Sequence, residues 1–237
     1  MIFRKRILVV GGKGFIGSHL LRRLKADVID RKLNTDVLNG IDKKYDVIVF
    51  LAVDMGRTQK AYIYNEELYK ALDRYMVSNP STQVIYTSSA AVYPDSKQPH
   101  SEKDLPKPVN LYGEAKLLGE CYVRQYKKHV IFRLANVYGK GGHGAIDLFL
   151  GGEKHIYGAG VQIRDYVFVY EVVDCIINAI NHPKHWQGTT NISSGKGQTT
   201  NEIYKKFGSG KPKHIQGRMG DVQCSILDNS KLEGLYD

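Results

Sequence analysis

Cysteine is scarce in this chain, and long apolar runs and blocks of like charge are missing. Three cysteines, Cys121, Cys175 and Cys224, occur in 237 residues. They lie far apart, form no CxxC pair, and cannot all pair internally. This excludes a disulfide framework and fits a reducing compartment. The longest uninterrupted apolar stretch, residues 47–53, has seven residues, far short of a membrane-crossing helix. The opening MIFRKRILVV carries charge ahead of apolar residues, but that apolar run ends after four, too few for a signal peptide. These absences predict a cytoplasmic protein with no membrane partner. The net charge is +10, yet lysine and arginine are scattered. A solvated basic surface, a phosphate-bearing small molecule and nucleic acid all fit such a balance. The 16 tyrosines do not interleave with arginine as a nucleic-acid stacking platform would require, so no nucleic-acid partner is expected. His182 and His185 have no cysteine or carboxylate companions, and no metal is predicted.

A hydrophobic content of 42% suffices for one domain or two small lobes. In the first half, short apolar runs alternate with amphipathic segments. RILVV, DVIDR, DVIVFLA, QVIYTSS and HVIFRLANVYG read as strands. FIGSHLLRRLK, NEELYKALDRYMVS and LYGEAKLLGECYVRQYKK read as helices. Strands that are apolar throughout, separated by helices, indicate a parallel sheet covered on both faces. Right-handed crossovers then give a Rossmann-type, doubly wound α/β fold. After Tyr138 the sequence becomes rich in Gly, Lys and Thr, apart from the strand-then-helix pattern of RDYVFVYEVVDCIINAINHP. The expected division is a larger domain from 1–135 and 163–185, and a small lobe from 136–162 and 186–237.

The first strand runs into GGKGFIGSHLL, which contains Gly11-x-x-Gly14-x-x-Gly17 and, overlapping it, Gly12-x-Gly14-x-x-Gly17. Glycine at these places permits a tight turn, close backbone approach to a pyrophosphate, and tight helix–strand packing. The helix N-terminus faces the phosphates. A glycine match alone is weak evidence, but its place at the first strand–helix junction strengthens it. The expected dinucleotide-binding set here is Gly11, Gly14, Phe15, Ile16 and Gly17, making this larger domain the NAD(P)-binding one. Asp30, ending the second strand, is placed to bind the adenosine ribose hydroxyls. Its carboxylate favours NAD, whereas the adjacent Arg31 and Lys32 would welcome the 2′-phosphate of NADP.

Hydroxyls crowd the end of the strand QVIYTSS. Downstream, Tyr112 and Lys116 stand four apart on an expected helix and so share a face. Tyr93 and Lys97 have the same spacing, but Pro94 and Asp95 make that stretch a loop. Ser89 at a strand end and Tyr112 and Lys116 on the next helix converge at the crevice where such sheets bind ligands. A tyrosine hydroxyl titrates near ~10, and a neighbouring ammonium together with an oxidised nicotinamide would favour its phenolate. Tyr112 would then take a proton from a sugar hydroxyl while hydride leaves the same carbon. Ser89 would hydrogen-bond that oxygen, and Lys116 would also hold the nicotinamide ribose.

These motifs, together with RLANVYG, YGAGVQIRDYVFVYEVVD and NISSGKGQTTNEI, resemble the extended short-chain dehydrogenase/reductases of the NAD-dependent nucleotide-sugar epimerase/dehydratase family, to which UDP-galactose 4-epimerase belongs. The resemblance runs through nearly the whole chain. It implies that Asp36 and Val37 contact adenine, that Ala52 lies along the cofactor, and that Asn65 stands on the helix below it. The corresponding structural roles are a loop acid, strand packing and a helix N-cap. For the substrate, a nucleotide-diphosphate sugar, it implies Arg164, Arg218 and Asn136 as phosphate-binding residues, guanidinium being suited to phosphate oxygens. It also implies a homodimer through the helices around 65–77 and 112–128. The family's relatives usually extend further at the C-terminus, so the substrate lobe is expected to be small.

Where the family's 4,6-dehydratases carry an Asp-Glu pair, this chain has Ala90 and Ala91, which cannot move a proton. The GDP-fucose synthase type shares Tyr93-Pro94 but carries cysteine where Ala91 stands. Dehydration and epimerisation beside a ketone are therefore disfavoured. Epimerisation at C4 through transient oxidation, with Tyr112 as base, is the leading expectation. NAD(P)H-dependent ketosugar reduction by the same residues is the alternative. A non-catalytic dinucleotide sensor is a third reading, against which the intact Ser89, Tyr112 and Lys116 stand.

Overall fold

The computed structural model describes residues 5–30, 41, 43–217 and 221–235. In chain order its elements begin β1 (Ile7–Val10), α1 (Phe15–Leu20), β2 (Asp27–Ile29), β3 (Val47–Phe50), α2 (Gln59–Ser78) and β4 (Gln83–Ser89). A single 3-10 turn (Ala90–Val92) follows, then α3 (Leu111–Arg124), β5 (His129–Leu134), β6 (Asn136–Tyr138), α4 (Ala145–Leu150), β7 (His155–Tyr157), β8 (Ile163–Phe168) and α5 (Val169–Asn181). The chain continues through β9 (Gly188–Ile192), β10 (Gly197–Thr199), α6 (Thr200–Phe207), β11 (Lys213–Ile215), β12 (Cys224–Ser225) and α7 (Ser230–Glu233).

Six parallel strands form the main sheet in the order β2-β1-β3-β4-β5-β9. Every residue of β1 and β3 is buried, because successive side chains serve opposite faces and both faces are covered. Leu8, Val10, Ile48, Phe50, Val84 and Tyr86 pack beneath the Leu68, Tyr69, Leu72 and Met76 face of α2. Val9, Val49, Ile85 and Phe132 pack with Leu20 of α1 and Val172, Val173 and Ile176 of α5. From β1 the chain winds first to β2 on one side and then to β3 on the other. That reversal opens a crevice at the carboxyl ends of β1 and β3.

The small lobe is built on β10, β8 and β12, with β6 also pairing β8, and on the pair β11–β7. Its own apolar cluster includes Ile146, Phe149, Ile156, Tyr166, Ile203 and Tyr204. Two elements depart from the expected division. β9, within 186–237, completes the main sheet beside β5, and β8, within 163–185, belongs to the small sheet. GTTNI is too short and too rich in threonine to signal a buried strand. β8 pairs with strands drawn from distant sequence. The long strand expected through residue 139 breaks after Leu134, where Ala135 N–H still donates to Ile192 O at 3.0 Å, and β6 leaves for β8. α2 starts earlier than expected because Thr58 caps it, its Oγ1 accepting from Ala61 N at 3.2 Å. Among the described residues no helix is long and apolar enough to cross a membrane. No cluster there could hold a metal ion, and all three cysteines are free.

Candidate active site

The turn after β1 lies against the backbone leaving β3. Gly11 has φ +86°, and a Cβ there would stand 2.7 Å from Ala52 N, so glycine is required both by conformation and by space. Gly11 N–H donates to Ile29 O at 2.7 Å, which brings Asp30 to the same edge. A side chain at Gly17 would meet Gly11 O and Gly12 O at 2.6 Å. No side chain caps the first turn of α1 at Gly14, and Phe15 and Ile16 there are half-buried. Gly11, Gly14, Gly17, Asp30 and Ala52 therefore gather at the ends of β1, β2 and β3. Asp36 and Val37 lie outside the described residues.

Asn65 is buried within α2 rather than at its N-cap. Its Oδ1 accepts from Asp54 N at 2.7 Å and its Nδ2 donates to Asp54 O at 2.9 Å. It thus fastens the loop that follows β3. Asn65→Leu removes both bonds and is expected to destabilise the protein by about 1–3 kcal/mol. Urea denaturation measures this, and an unchanged midpoint would refute the fastening role.

Ser89 ends β4, and its Oγ accepts from Ala91 N at 3.2 Å. α3 is capped by Asn110, whose Oδ1 accepts from Gly113 N at 3.0 Å. Gly113 has a steric purpose: a Cβ there would lie 2.2 Å from Ala91 O, so only glycine lets α3 settle onto the turn after Ser89. This approach brings Tyr112 to Ser89. Burial pushes the half-buried Tyr112 phenol up, and the neighbouring Ser89 hydroxyl opposes that shift. Lys116, one helical turn on, is buried and donates to Thr87 O at 2.7 Å, with its Nζ 5.1 Å from the centre of the Tyr86 ring. Burial pulls Lys116 down to about 7, with the Glu120 carboxylate opposing. Tyr112 and Ser89 thus adjoin, and Lys116 reaches the same strand end at Thr87 O. Tyr93 and Lys97, the other pair with that spacing, lie outside any helix. Ala90 and Ala91 stand half-buried beside Ser89.

On the small-lobe side Arg164 is half-buried and donates to Ile163 O at 2.8 Å and Val222 O at 2.7 Å. Burial lowers its pKa. Asn136 is exposed and its Nδ2 donates to Asp165 O at 3.2 Å. Arg218 lies outside the described residues. Sequence reasoning missed two features here. Arg57, in the loop after β3, pairs with Asp221 of the small lobe at 2.7 Å, an exposed bridge of little energetic weight. Asp165 is buried and accepts from Ser194 N, Ser194 Oγ and Gly195 N, tying β8 to the loop after β9. An acid inside the apolar-aromatic run DYVFV was the available signal for Asp165. Arg57 carried none.

The sheet, its glycine turn and the crevice define a Rossmann-type protein with the arrangement of a short-chain dehydrogenase/reductase. The chain belongs to the NAD dependent epimerase/dehydratase family, whose model matches residues 7–193. It is similar to a UDP-glucose 4-epimerase from Thermotoga maritima solved with UDP-glucose: 25% identity, 98% of this chain and 92% of that one, TM-score 0.82. It shares its fold with DesIV, a dTDP-glucose 4,6-dehydratase from Streptomyces venezuelae solved with NAD and TYD, at 21% identity, 97% and 90% coverage and a TM-score of 0.86. MoeE5, solved with UDP-glucuronic acid and NAD, has the same fold at 24% identity, 97% and 92% coverage and a TM-score of 0.80.

Proposed function

We propose that this chain is an NAD-dependent epimerase of a nucleotide-diphosphate sugar, acting through transient oxidation at C4. The observation that carries the reading is the convergence of Ser89, Tyr112 and Lys116 beside two alanines. NAD fits the residues present, because the space that a Cβ at Gly11 would fill is backbone contact and no side chain blocks the first turn of α1. Gly11, Gly14, Phe15, Ile16, Gly17, Asp30 and Ala52 would hold it, with Asp36 and Val37 at the adenine end. When bound, NAD supplies a hydride acceptor and later a hydride donor at one sugar carbon.

Tyr112 Oη exchanges the proton of the sugar hydroxyl, and Ser89 hydrogen-bonds the same oxygen. Lys116, as ammonium, favours the Tyr112 phenolate against the burial that disfavours it. Ala90 and Ala91 offer no proton, which argues against water loss. Arg164, Asn136 and Arg218 would bind the diphosphate, Arg164 by turning from its two carbonyl partners. A homodimer through the helices around 65–77 and 112–128 rests on the family resemblance alone. The cytoplasmic setting rests on the cysteine and hydropathy patterns alone.

The same three residues also suit a second reading, NAD(P)H-dependent reduction of a ketosugar, in which Tyr112 gives its proton to the ketone oxygen. Incubation with UDP-, GDP- and dTDP-sugars and catalytic NAD⁺, followed by chromatography, tests both. A new peak of identical mass supports epimerisation. Stoichiometric consumption of NADH or NADPH with a ketosugar supports reduction. Absence of turnover in both assays would overturn the enzymatic reading.

A further inference from the structure

Three elements, α3, β4 and β5, meet at one buried carboxylate that the proposed chemistry does not use. Glu120 lies on α3 one turn beyond Lys116 and is fully buried, at 0% exposure. Arg133 of β5, 1% exposed, donates from Nε to Oε1 at 2.9 Å and from Nη2 to Oε2 at 2.7 Å, a two-pronged pairing. Ser88 of β4 donates to Oε1 at 2.6 Å, and Arg124 donates to Oε2 at 3.0 Å. Arg133 Nη1 continues the network to Tyr93 Oη at 2.6 Å, and the Tyr93 ring lies under the guanidinium at 4.7 Å. Tyr93 Oη is within reach of Ser101 O and Asn191 Oδ1.

A buried ion pair seldom adds net stability over apolar packing of the same volume. Its value here is sought in placement. Three consecutive residues at the end of β4 meet α3, Thr87 through its carbonyl and Ser88 and Ser89 through their side chains. Thr87 O holds Lys116 Nζ, Ser88 holds Glu120, and Ser89 adjoins Tyr112. A rotation of α3 that moved Lys116 or Tyr112 would break the Glu120 bonds to two strands together.

We propose that Glu120 is a positioning residue: clamped by Arg133, Arg124 and Ser88, it fixes α3 on β4 with Lys116 held at Thr87 O and Tyr112 at Ser89. The catalytic meaning of this placement rests on the function proposed above. The groups that act on Lys116 are Glu120 on its own helix and, from β4, the Tyr86 ring and Thr87 O. Behind them stand Tyr69 of α2, bound to the Tyr86 hydroxyl at 2.9 Å, and Arg133 of β5. Glu120 is the one whose charge holds Lys116 up against burial. Removing that charge lowers the pH at which the ammonium is lost, so activity dependent on it fails earlier as pH rises.

The test compares Glu120→Gln, Ser88→Ala and, as a packing control on the same helix, Val123→Ala. Ser88→Ala removes one bond and leaves the ion pair, so it reports even where Glu120→Gln folds poorly. NMR titration of protein carrying ¹³C-labelled lysine follows Lys116 without any substrate. The Lys116 midpoint is expected to move to lower pH in Glu120→Gln, to move less in Ser88→Ala, and to stay in Val123→Ala. With the active sugar, kcat at pH 8 should fall about tenfold or more in Glu120→Gln with KM nearly unchanged, and the loss should shrink at pH 6. An unmoved Lys116 midpoint in both Glu120→Gln and Ser88→Ala overturns the proposal. So does a kcat loss that only tracks melting temperature, as in Val123→Ala. The titration decides the matter even if no sugar in the panel reacts, which separates this proposal from the proposed function.

Discussion

Tyr112→Phe is expected to slow turnover about 10²–10⁴-fold, the usual worth of a positioned acid–base group. The ring stays in its half-buried place on α3 and only Oη is lost, so cofactor and sugar affinities should change little. Single-turnover and steady-state rates beside wild type, with NAD binding followed by fluorescence, give the comparison. Wild-type turnover by the variant would remove tyrosine from the mechanism, whereas lost cofactor binding would point to a structural role. Ser89→Ala should fall between the two, because Ser89 touches both the phenol and the turn at Ala91.

Arg133→Met is expected to cost about 3–5 kcal/mol of folding stability, because it strands the Glu120 carboxylate in the core without its main partner. The double variant Arg133→Met/Glu120→Met should recover a large part of that loss, since no buried charge remains. Urea or thermal unfolding measures both. A single variant as stable as wild type would mean that solvent reaches Glu120, contrary to its burial. The double variant also tests the further inference in the opposite sense, for it should fold well and still turn over poorly.

Much of this architecture was legible because β1, β3, β4 and β5 are apolar on both faces. That pattern is unlike a half-exposed strand and marks a covered parallel sheet. The site was legible at Gly11, Ser89, Tyr112 and Lys116 because each sits at a strand end or on a helix face set by short-range spacing. Other features had no such local signature. β9 is five residues with glycine and two threonines, and it becomes a strand through its neighbour β5. The strands of the small lobe are two to six residues long, and most are too short to show a period. Glu120 and Arg133 look like two ordinary charges on separate elements until the sheet brings them together. Gly113 reads as a weak point in a helix until Ala91 O is placed beneath it.

The position of β9 has a consequence for how the chain comes to be folded. β5 and β9 are neighbours, yet the whole stretch 135–187, with much of the small lobe, lies between them. During synthesis from the N-terminus, β2, β1, β3, β4 and β5 are complete long before residue 192 exists. Until then β5, an apolar strand reading HVIFRL, keeps its outer row of backbone groups bare, the kind of edge on which another chain can pair. Closing such a distant contact is also slow. The part of the small lobe that runs from β6 to β8 is thus an insertion in the order of assembly, and the last strand of the large sheet is made only after it.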